Sequence, residues 1–203
     1  MRFSSSRLLI LIGVLIFLII TFIFLDRYCP SSGLALSESR RTVHRLKNRT
    51  SFPQPSEFDS QVTLSNILAP GRDEMRWSQT KAARVEGYVV SVGRASIELA
   101  NCYSPCRRDI HINVALRPDA APSEQMVLEV TPYFERLNAS QGLDWSEQRL
   151  KQTLVGHWCR FEGWLFYDIG HDEEATNTHK GGSNIWRATG WEIHPVTKIE
   201  VIK

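Results

Sequence analysis

The sequence predicts a mainly β fold with one helix, preceded by a single helix that spans a membrane. Three observations lead to this prediction. Residues Leu8 to Leu25 form a run of eighteen residues without a charge. Residues 28–80 show no sustained apolar periodicity, whereas from residue 84 onward short stretches alternate apolar and polar residues, as half-buried strands do. The 203 residues are enough for one domain beside an anchor and a tether.

The apolar run is long enough to be a retained membrane anchor. As a helix it would be roughly 27 Å long, close to the hydrocarbon thickness of a bilayer. A cleavable signal peptide usually has an apolar region of about 7–15 residues. The only small-residue cleavage candidate, Ala35-Leu36-Ser37, lies well past the run. We therefore predict an anchor over residues 1–27 that contacts membrane lipid through Leu8 to Leu25.

The orientation in the membrane rests on opposing arguments. Arg2 and Arg7 precede the run and favour a short cytoplasmic N-terminus, whereas four arginines between residues 27 and 45 follow it. Long C-terminal domains cross membranes largely regardless of such charges. We expect a single-pass membrane protein whose C-terminal domain is extracytoplasmic.

Residues 28–80 are expected to form a mostly flexible tether, because they hold many serines and a basic cluster over 40–49 that is followed by Pro53 and Pro55. The stretch Val62 to Leu68 is expected to dock as one short element. The basic cluster either contacts anionic lipid or nucleic acid or is a solvated linker. Residues 81–203 carry fourteen Lys and Arg against sixteen Asp and Glu, so this domain is not expected to bind nucleic acid.

Three strands are predicted first in the domain. Val85 to Val92 is rich in β-branched residues. Ile110 to Leu116 alternates apolar and polar residues with a period of two, and Met126 to Thr131 does the same. Pro132 ends the third strand, since proline cannot donate a hydrogen bond to a neighbouring strand.

One helix is predicted over residues 133–154, where the apolar spacing becomes helical, with an interruption near Gly142. Asp144 is the expected N-cap. Glu147, three residues later, would complete a capping box.

Two further strands are predicted after the helix. The first covers His157 to Asp168; the second covers Trp186 to His194 and resumes after Pro195 as Val196 to Ile202. Three strands, a helix and two strands are the element order of an OB fold, a five-stranded Greek-key barrel. An α+β sandwich with the same order is the alternative, because the sequence does not reveal whether the sheet closes. The domain would comprise residues 81–203.

Five segments resemble a group of uncharacterised bacterial membrane-anchored OB-fold-like domain proteins. They are Ala83-Arg84-Val85-Glu86-Gly87-Tyr88-Val89, Asp109-Ile110-His111-Ile112, Val127-Leu128-Glu129-Val130-Thr131-Pro132, Gly163-Trp164-Leu165-Phe166-Tyr167-Asp168 and Trp191-Glu192-Ile193-His194-Pro195-Val196. The resemblance covers about residues 83–203. It implies the fold and carries no activity, because the function of the group is unknown.

Titratable residues are predicted to gather on one face of the barrel. In an OB fold the ligand usually meets strands two and three, between the loop after strand one and the loop between strands four and five. If Ile110 and Ile112 point inward, His111 points outward and neighbours Glu129 across the strands. Asp109 lies next along that face, and His194 could approach from the last strand.

This face has two interpretations. Histidine beside carboxylates suits a divalent metal or a general acid–base pair, but such pairs are also common as hydrogen bonds on exposed sheets. The candidate ligand-binding residues are His111, Glu129, His171 and His194. The candidate metal ligands are Asp109, His111, His171 and His194.

The cysteines predict an oxidising compartment. Cys102 and Cys106 are close enough in sequence for a disulfide within one loop, and a thiol pair that binds metal with His111 is the alternative. Cys159 is expected in the core. Cys29, beside the membrane, is free, acylated or paired between chains.

Two functions follow. The first is a non-catalytic, membrane-tethered OB-like binding module of the cell envelope, without a cofactor, for a protein, peptide or glycan ligand. The alternative is a metal-assisted hydrolase, acting on a phosphodiester through Asp109, His111 and Glu129 with a divalent metal that activates water. The sequence has no nucleophile elbow, phosphate-cradling loop or dinucleotide fingerprint, so it supports no other enzyme class.

Overall fold

The computed structural model describes residues 5–72, 74–179 and 181–203, apart from the side chains of residues 5, 6, 22 and 24–27. The α-helices are α1 (Ser5–Tyr28), α2 (Glu38–Lys47), α3 (Leu64–Leu68), α4 (Pro132–Ser140) and α5 (Glu147–Leu154). The strands are β1 (Ala82–Arg94), β2 (Ile110–Ala115), β3 (Met126–Val130), β4 (Trp158–Tyr167) and β5 (Trp191–Val201). Short 3-10 turns lie at Pro55–Glu57, Pro122–Glu124 and Ile169–Glu174.

The five strands form a closed barrel in the order β1-β2-β3-β5-β4, and β4 pairs with β1 to complete it. The β3–β5 pair is parallel and the other pairs are antiparallel. This arrangement confirms the predicted five-stranded barrel and fits an OB-like topology, although five α-helices accompany the barrel among the described residues. Because the sheet closes on itself, the open α+β sandwich does not apply.

The period-two pattern places the core where the sequence predicted it. Ile110, Ile112 and Val114 of β2 are buried in the barrel with the apolar residues of β3 and β5. The outward positions of the same strands carry the polar residues, because successive side chains of a strand point to opposite faces.

The single predicted helix is in fact two. Gly142 has a φ of +81°, a left-handed conformation that glycine adopts without strain, and it separates α4 from α5. The N-cap of α5 is Ser146, whose hydroxyl accepts a hydrogen bond from the backbone of Arg149. The predicted N-cap, Asp144, is therefore wrong by two residues; its carboxylate accepts the backbone N–H of Ser146 instead.

The last strand also begins later than predicted. Residues 186–190 belong to the loop before β5, and β5 then runs through Pro195 without interruption. An isolated bridge from Arg187 to Ala175 holds this part of the loop. The loop between β4 and β5 is consequently longer than the sequence pattern indicated.

The predicted disulfide between Cys102 and Cys106 is wrong. Cys102 is bonded to Cys29, with their Cα atoms 5.9 Å apart, whereas Cys106 is exposed and free. The cause is a long-range contact. The chain after α1 turns back onto the loop after β1, where the backbone N–H of Leu34 donates to the carbonyl of Leu99. Cys159 is buried, as expected for a core residue.

The segment 28–80, where we expected a tether, is folded against the barrel. The side chain of Asn48 donates to the carbonyl of Ala100, and the indole of Trp164 donates to the carbonyl of Ser51. The expected docking of Val62 to Leu68 is confirmed: this stretch forms α3, and Ile67 is completely buried in the core. We call residues 29–49, which include α2, the strap.

Helix α1 carries the apolar run, and its large apolar side chains from Leu8 to Ile20 are exposed. No helix among the described residues is both long and apolar enough to cross a membrane. Part of the predicted span, the side chains of residues 22, 24 and 25, lies outside the described residues. The membrane anchor therefore stays a prediction from the sequence.

Barrel closure gives a prediction at Gly163 of β4. A Cβ there would overlap the carbonyl oxygen of Pro195 and lie 2.6 Å from Cγ2 of Ile193 on the neighbouring strand. We expect Gly163→Ala to lower the free energy of unfolding by about 2–3 kcal/mol, the usual cost of overpacking. Urea denaturation measures this change.

Gly93 of β1 is the matched control, since a Cβ there would meet no described atom within 4 Å. Gly93→Ala should change stability by less than about 0.5 kcal/mol. Equal losses in the two variants would contradict the described packing of β4 against β5.

Candidate functional site

The candidate site begins with the outer face of β2, β3 and β5. His111 pairs directly with Glu129 across β2 and β3. Leu128 pairs with Ile193 across the parallel β3–β5 contact, and both point into the core. Glu192 and His194, on either side of Ile193, therefore lie on the outer face beside Glu129.

This outer face is not open to solvent. The strap crosses it, with α2 in contact with β5, and the loop between β4 and β5 covers it from the other side. Glu192 and His194 are completely buried and Glu129 is 2% exposed. The charged residues thus lie in a layer between the barrel and its covering segments. We call this set the polar layer: Lys47, Glu98, Asn101, Asp109, His111, Glu129, Asp168, Arg187, Glu192 and His194.

Two buried cations hold the covering segments in place. The ammonium of Lys47, from α2, lies 3.1 Å from a carboxylate oxygen of Glu98 and 3.2 Å from one of Asp168. Arg187, from the β4–β5 loop, lies 2.8 Å from Glu192. The Arg187 guanidinium also donates to the carbonyl of Thr189. Lys47 therefore joins the strap to the loops that follow β1 and β4, and Arg187 joins the β4–β5 loop to β5.

Three predicted residues converge at the centre of the layer. Asp109, Glu129 and His194 each offer a donor atom, and these atoms all lie within 4.8 Å of one another. Nδ1 of His194 is 3.4 Å from Oε2 of Glu129 and 3.1 Å from Oε2 of Glu192. The side-chain amide of Asn101 donates to Oδ2 of Asp109 at 2.9 Å.

His111 lies at the edge of this group. Its Nε2 is 3.0 Å from Oε1 of Glu129, a distance typical of an ion pair, although the N–H direction is not aligned as in a hydrogen bond. Its ring is parallel to that of Trp186, with centroids 6.5 Å apart. One quarter of the side chain is exposed, so His111 connects the buried group to solvent.

The other predicted candidates are not brought into this group. His171 pairs with Glu174 at 2.6 Å and meets the edge of Trp186, more than a third exposed. A metal site of Cys102 and Cys106 with His111 is also wrong, because the sulfur of Cys102 is bonded to Cys29.

The charges of the group shift one another's pKa values. Burial, together with the charge of Glu129, raises the pKa of Asp109 to about 7. Burial opposes protonation of His111, but the charge and close contact of Glu129, together with the charges of Glu192 and Asp109, outweigh it and raise the His111 pKa to about 9. Burial also opposes protonation of His194, and the charges of Glu129 and Asp109 with the contact to Glu192 together raise its pKa. Burial opposes ionisation of Glu129, yet the two histidines hold its pKa well below the usual range.

Three buried atoms of the group have unused hydrogen-bonding capacity. Oδ1 of Asp109, Oε2 of Glu129 and Nε2 of His194 have no hydrogen-bond partner among the described residues. Buried polar atoms are nearly always paired in folded proteins, so three such atoms at one point are unusual.

Sequence reasoning missed six members of the layer: Lys47, Glu98, Asn101, Asp168, Arg187 and Glu192. Glu192 could have been predicted from the sequence, because the alternation that predicted His111 also places Glu192 on the same strand face as His194. Lys47 carried no such signal, because its partners Glu98 and Asp168 are 51 and 121 residues away in the chain.

The chemistry available to the group is limited by access. Carboxylates beside histidines can exchange protons or bind a metal. With Asp109 and Glu129 each 2% exposed and His194 completely buried, however, a substrate does not reach them in this conformation.

No protein-family model matches the chain, and a search of curated proteins found no similar sequence. The resemblance to bacterial OB-fold-like domain proteins therefore stays a prediction from the five segments quoted above.

Replacement of Lys47 tests the role of the strap. Lys47→Met leaves the carboxylates of Glu98 and Asp168 without their cation, which typically costs about 3–5 kcal/mol for a buried pair. We expect a loss of that size in chemical denaturation at pH 7. Arg45→Met is the control on the same helix, because Arg45 makes an exposed ion pair with Glu38. It should change stability by less than about 1 kcal/mol.

The raised pKa of His111 predicts a pH dependence in metal-free protein. Its protonated ring stabilises the fold fully below the ordinary pKa of 6.5, and this contribution is lost as the pH rises through about 9. We expect His111→Gln to cost on the order of 2 kcal/mol at pH 6 and much less at pH 9.5. The exposed His157→Gln should show no such difference. A cost for His111→Gln that is independent of pH would contradict the assignment.

Proposed function

We propose that this protein is a non-catalytic binding module of the cell envelope, which holds an apolar segment of an envelope protein in a groove at one end of the barrel. The observation that carries the proposal is the groove itself. It is bounded by residues 68, 70–72, 116, 117, 120, 123, 124, 176–178 and 188 and has a volume of about 710 Å³. Ligand sites in proteins usually measure about 300–1,000 Å³.

The lining of the groove favours an apolar ligand. Leu68, Pro70, Leu116, Ala120 and Ala188 supply much of its surface. None of the described residues that line it is aromatic. Leu116 is 49% exposed and lines this concave surface, so its side chain is accessible to a partner.

The polar side chains of the groove are already used within the protein. The hydroxyl of Thr176 donates to the carbonyl of Ser123, and the amide of Asn177 donates to the carbonyl of Ala69. The guanidinium of Arg117 pairs with Glu124. A glycan needs hydrogen-bonding groups and ring platforms, so this lining favours a protein segment over a glycan.

The position of the groove suits a protein that is held at its other end. The Cys29–Cys102 bond joins the end of α1 to the loop that leads into the start of β2. The groove lies beyond the other end of β2, at Leu116. Six residues of strand extend roughly 20 Å, so the attachment and the groove lie at opposite ends of this strand.

The location of the protein is part of the same proposal. The uncharged run Leu8 to Leu25 supports a membrane anchor on sequence grounds. Disulfides persist in oxidising compartments, so the Cys29–Cys102 bond supports an extracytoplasmic barrel. The anchor, the fixed attachment and the distal groove together describe a tethered receptor for a neighbouring envelope protein.

The hydrolase alternative has less support. Its residues Asp109 and Glu129 are covered by the strap, and a phosphodiester would have to displace the Lys47 ion pairs to reach them. A binding module needs no such opening, since its groove is already accessible.

Site-specific photo-crosslinking tests the proposal in the cells that make the protein. A photoreactive phenylalanine analogue replaces Leu116 in the full-length chain, and in a matched control variant it replaces Ile97, which is 45% exposed in the loop near Cys102. We expect a discrete protein adduct from position 116 and none of the same mass from position 97. Absence of an adduct at position 116, or the same adduct at both positions, would contradict the proposal.

A hydrolysis assay addresses the alternative directly. Purified full-length protein with Zn²⁺ or Mn²⁺ should not cleave bis-p-nitrophenyl phosphate above the rate of the metal alone. Cleavage that disappears in Glu129→Gln but persists in His157→Gln would overturn the non-catalytic assignment.

A further inference from the structure

We infer that Asp109, Glu129 and His194 bind one divalent cation of the zinc class, which joins the barrel to its covering segments. This site is separate from the groove and goes beyond the proposed binding function. It is a structural site rather than a catalytic one, because its three side chains are buried beneath the strap and the β4–β5 loop.

The geometry suits a single ion. The three residues lie directly before β2, in β3 and in β5, so the paired strands fix their relative positions. Their donor atoms lie within 4.8 Å of one another. Ligands at about 2.0–2.2 Å from one zinc ion are separated by up to about 4 Å, so small side-chain rotations close the site.

The unpaired atoms give an independent indication of a ligand. Oδ1 of Asp109, Oε2 of Glu129 and Nε2 of His194 are buried and have no hydrogen-bond partner in the part of the chain that the structure describes. A cation placed between the three side chains would give the two carboxylate oxygens a partner. Leaving each unsatisfied would cost about 1–3 kcal/mol or more, because the groups are desolvated without compensation.

The charge balance of the polar layer can accommodate a cation. Five carboxylates, those of Glu98, Asp109, Glu129, Asp168 and Glu192, face two permanent cations, Lys47 and Arg187. Lys47 and Arg187 make ion pairs with Glu98, Asp168 and Glu192, whereas the ion pairs of Glu129 are with His111 and His194. A divalent ion at Asp109 and Glu129 would supply the counter-charge that protonated histidines supply in its absence.

The surrounding contacts orient the proposed ligands. Nδ1 of His194 lies 3.1 Å from Oε2 of Glu192, whose other oxygen is held by Arg187. The amide of Asn101 holds Oδ2 of Asp109. Histidine ligands usually donate their second ring N–H to a carboxylate, which leaves the opposite ring nitrogen for the metal. Nε2 of His194 is that nitrogen.

The donor set selects the class of ion. Calcium and magnesium prefer oxygen ligands alone, whereas zinc and similar first-row divalent ions accept imidazole nitrogen together with carboxylate oxygen. The nitrogen of His194 therefore favours the zinc class.

Metal analysis of the intact protein is the direct test. Full-length protein is purified without chelator, and its zinc content is measured by mass spectrometry. A sample stripped of metal is then dialysed and titrated with Zn²⁺ alone by calorimetry. We expect one zinc ion per chain and a rise in the melting temperature on binding. Failure of the folded wild-type chain to bind zinc stoichiometrically would overturn the inference without any variant.

Near-isosteric variants identify the ligands. Asp109→Asn and Glu129→Gln should each weaken zinc binding at least tenfold and abolish the rise in melting temperature. His171→Gln is the matched control, because His171 also pairs with a carboxylate but lies outside the group. Its zinc binding should be unchanged. Weakening by His171→Gln alone, or unchanged binding in both carboxylate variants, would place the ion elsewhere and refute the site. The spectrum of the Co²⁺-substituted wild type gives a second readout that does not depend on how the variants fold.

Discussion

The buried ammonium of Lys47 is the interaction on which the rest of the molecule depends. It holds the strap across the outer face of β2, β3 and β5 through ion pairs with Glu98 and Asp168. A charge removed from water is stable only when it is paired, so α2 and the loops that carry Glu98 and Asp168 require each other. The same covering buries Glu129, Glu192 and His194, and it turns an otherwise solvated sheet face into a polar layer.

This covering decides which surface is available to a partner. An OB-like barrel commonly binds ligands on the face of its second and third strands, and here much of that face is occupied by the chain's own strap and loop. One concave surface that stays accessible is the apolar groove beside Leu116, at the end of β2 remote from the Cys29–Cys102 bond. Most titratable residues of the polar layer are buried, whereas apolar side chains supply part of the lining of this groove.

The sequence predicted the features of the structure that depend on local periodicity. The alternation in Ile110 to Leu116 and Met126 to Thr131 correctly predicted the core of the barrel, and it correctly paired His111 with Glu129. The sequence alone could not predict contacts between residues that are far apart in the chain. Cys29 lies 73 residues from Cys102, and Lys47 lies in a serine-rich, basic segment that reads as a linker. A polar segment looks like a flexible tether in the sequence when the residues that pair with its charges, and so fix its structure, lie in another part of the chain.

Amide hydrogen exchange of α2 in the full-length protein tests this account most directly. If the strap is an integral part of the fold, amides near the end of α2 exchange within about tenfold of the slow amides in β4 and β5, and Lys47→Met accelerates them selectively. Exchange of α2 at the rate of an unstructured peptide, with the barrel strands fully protected, would contradict the account.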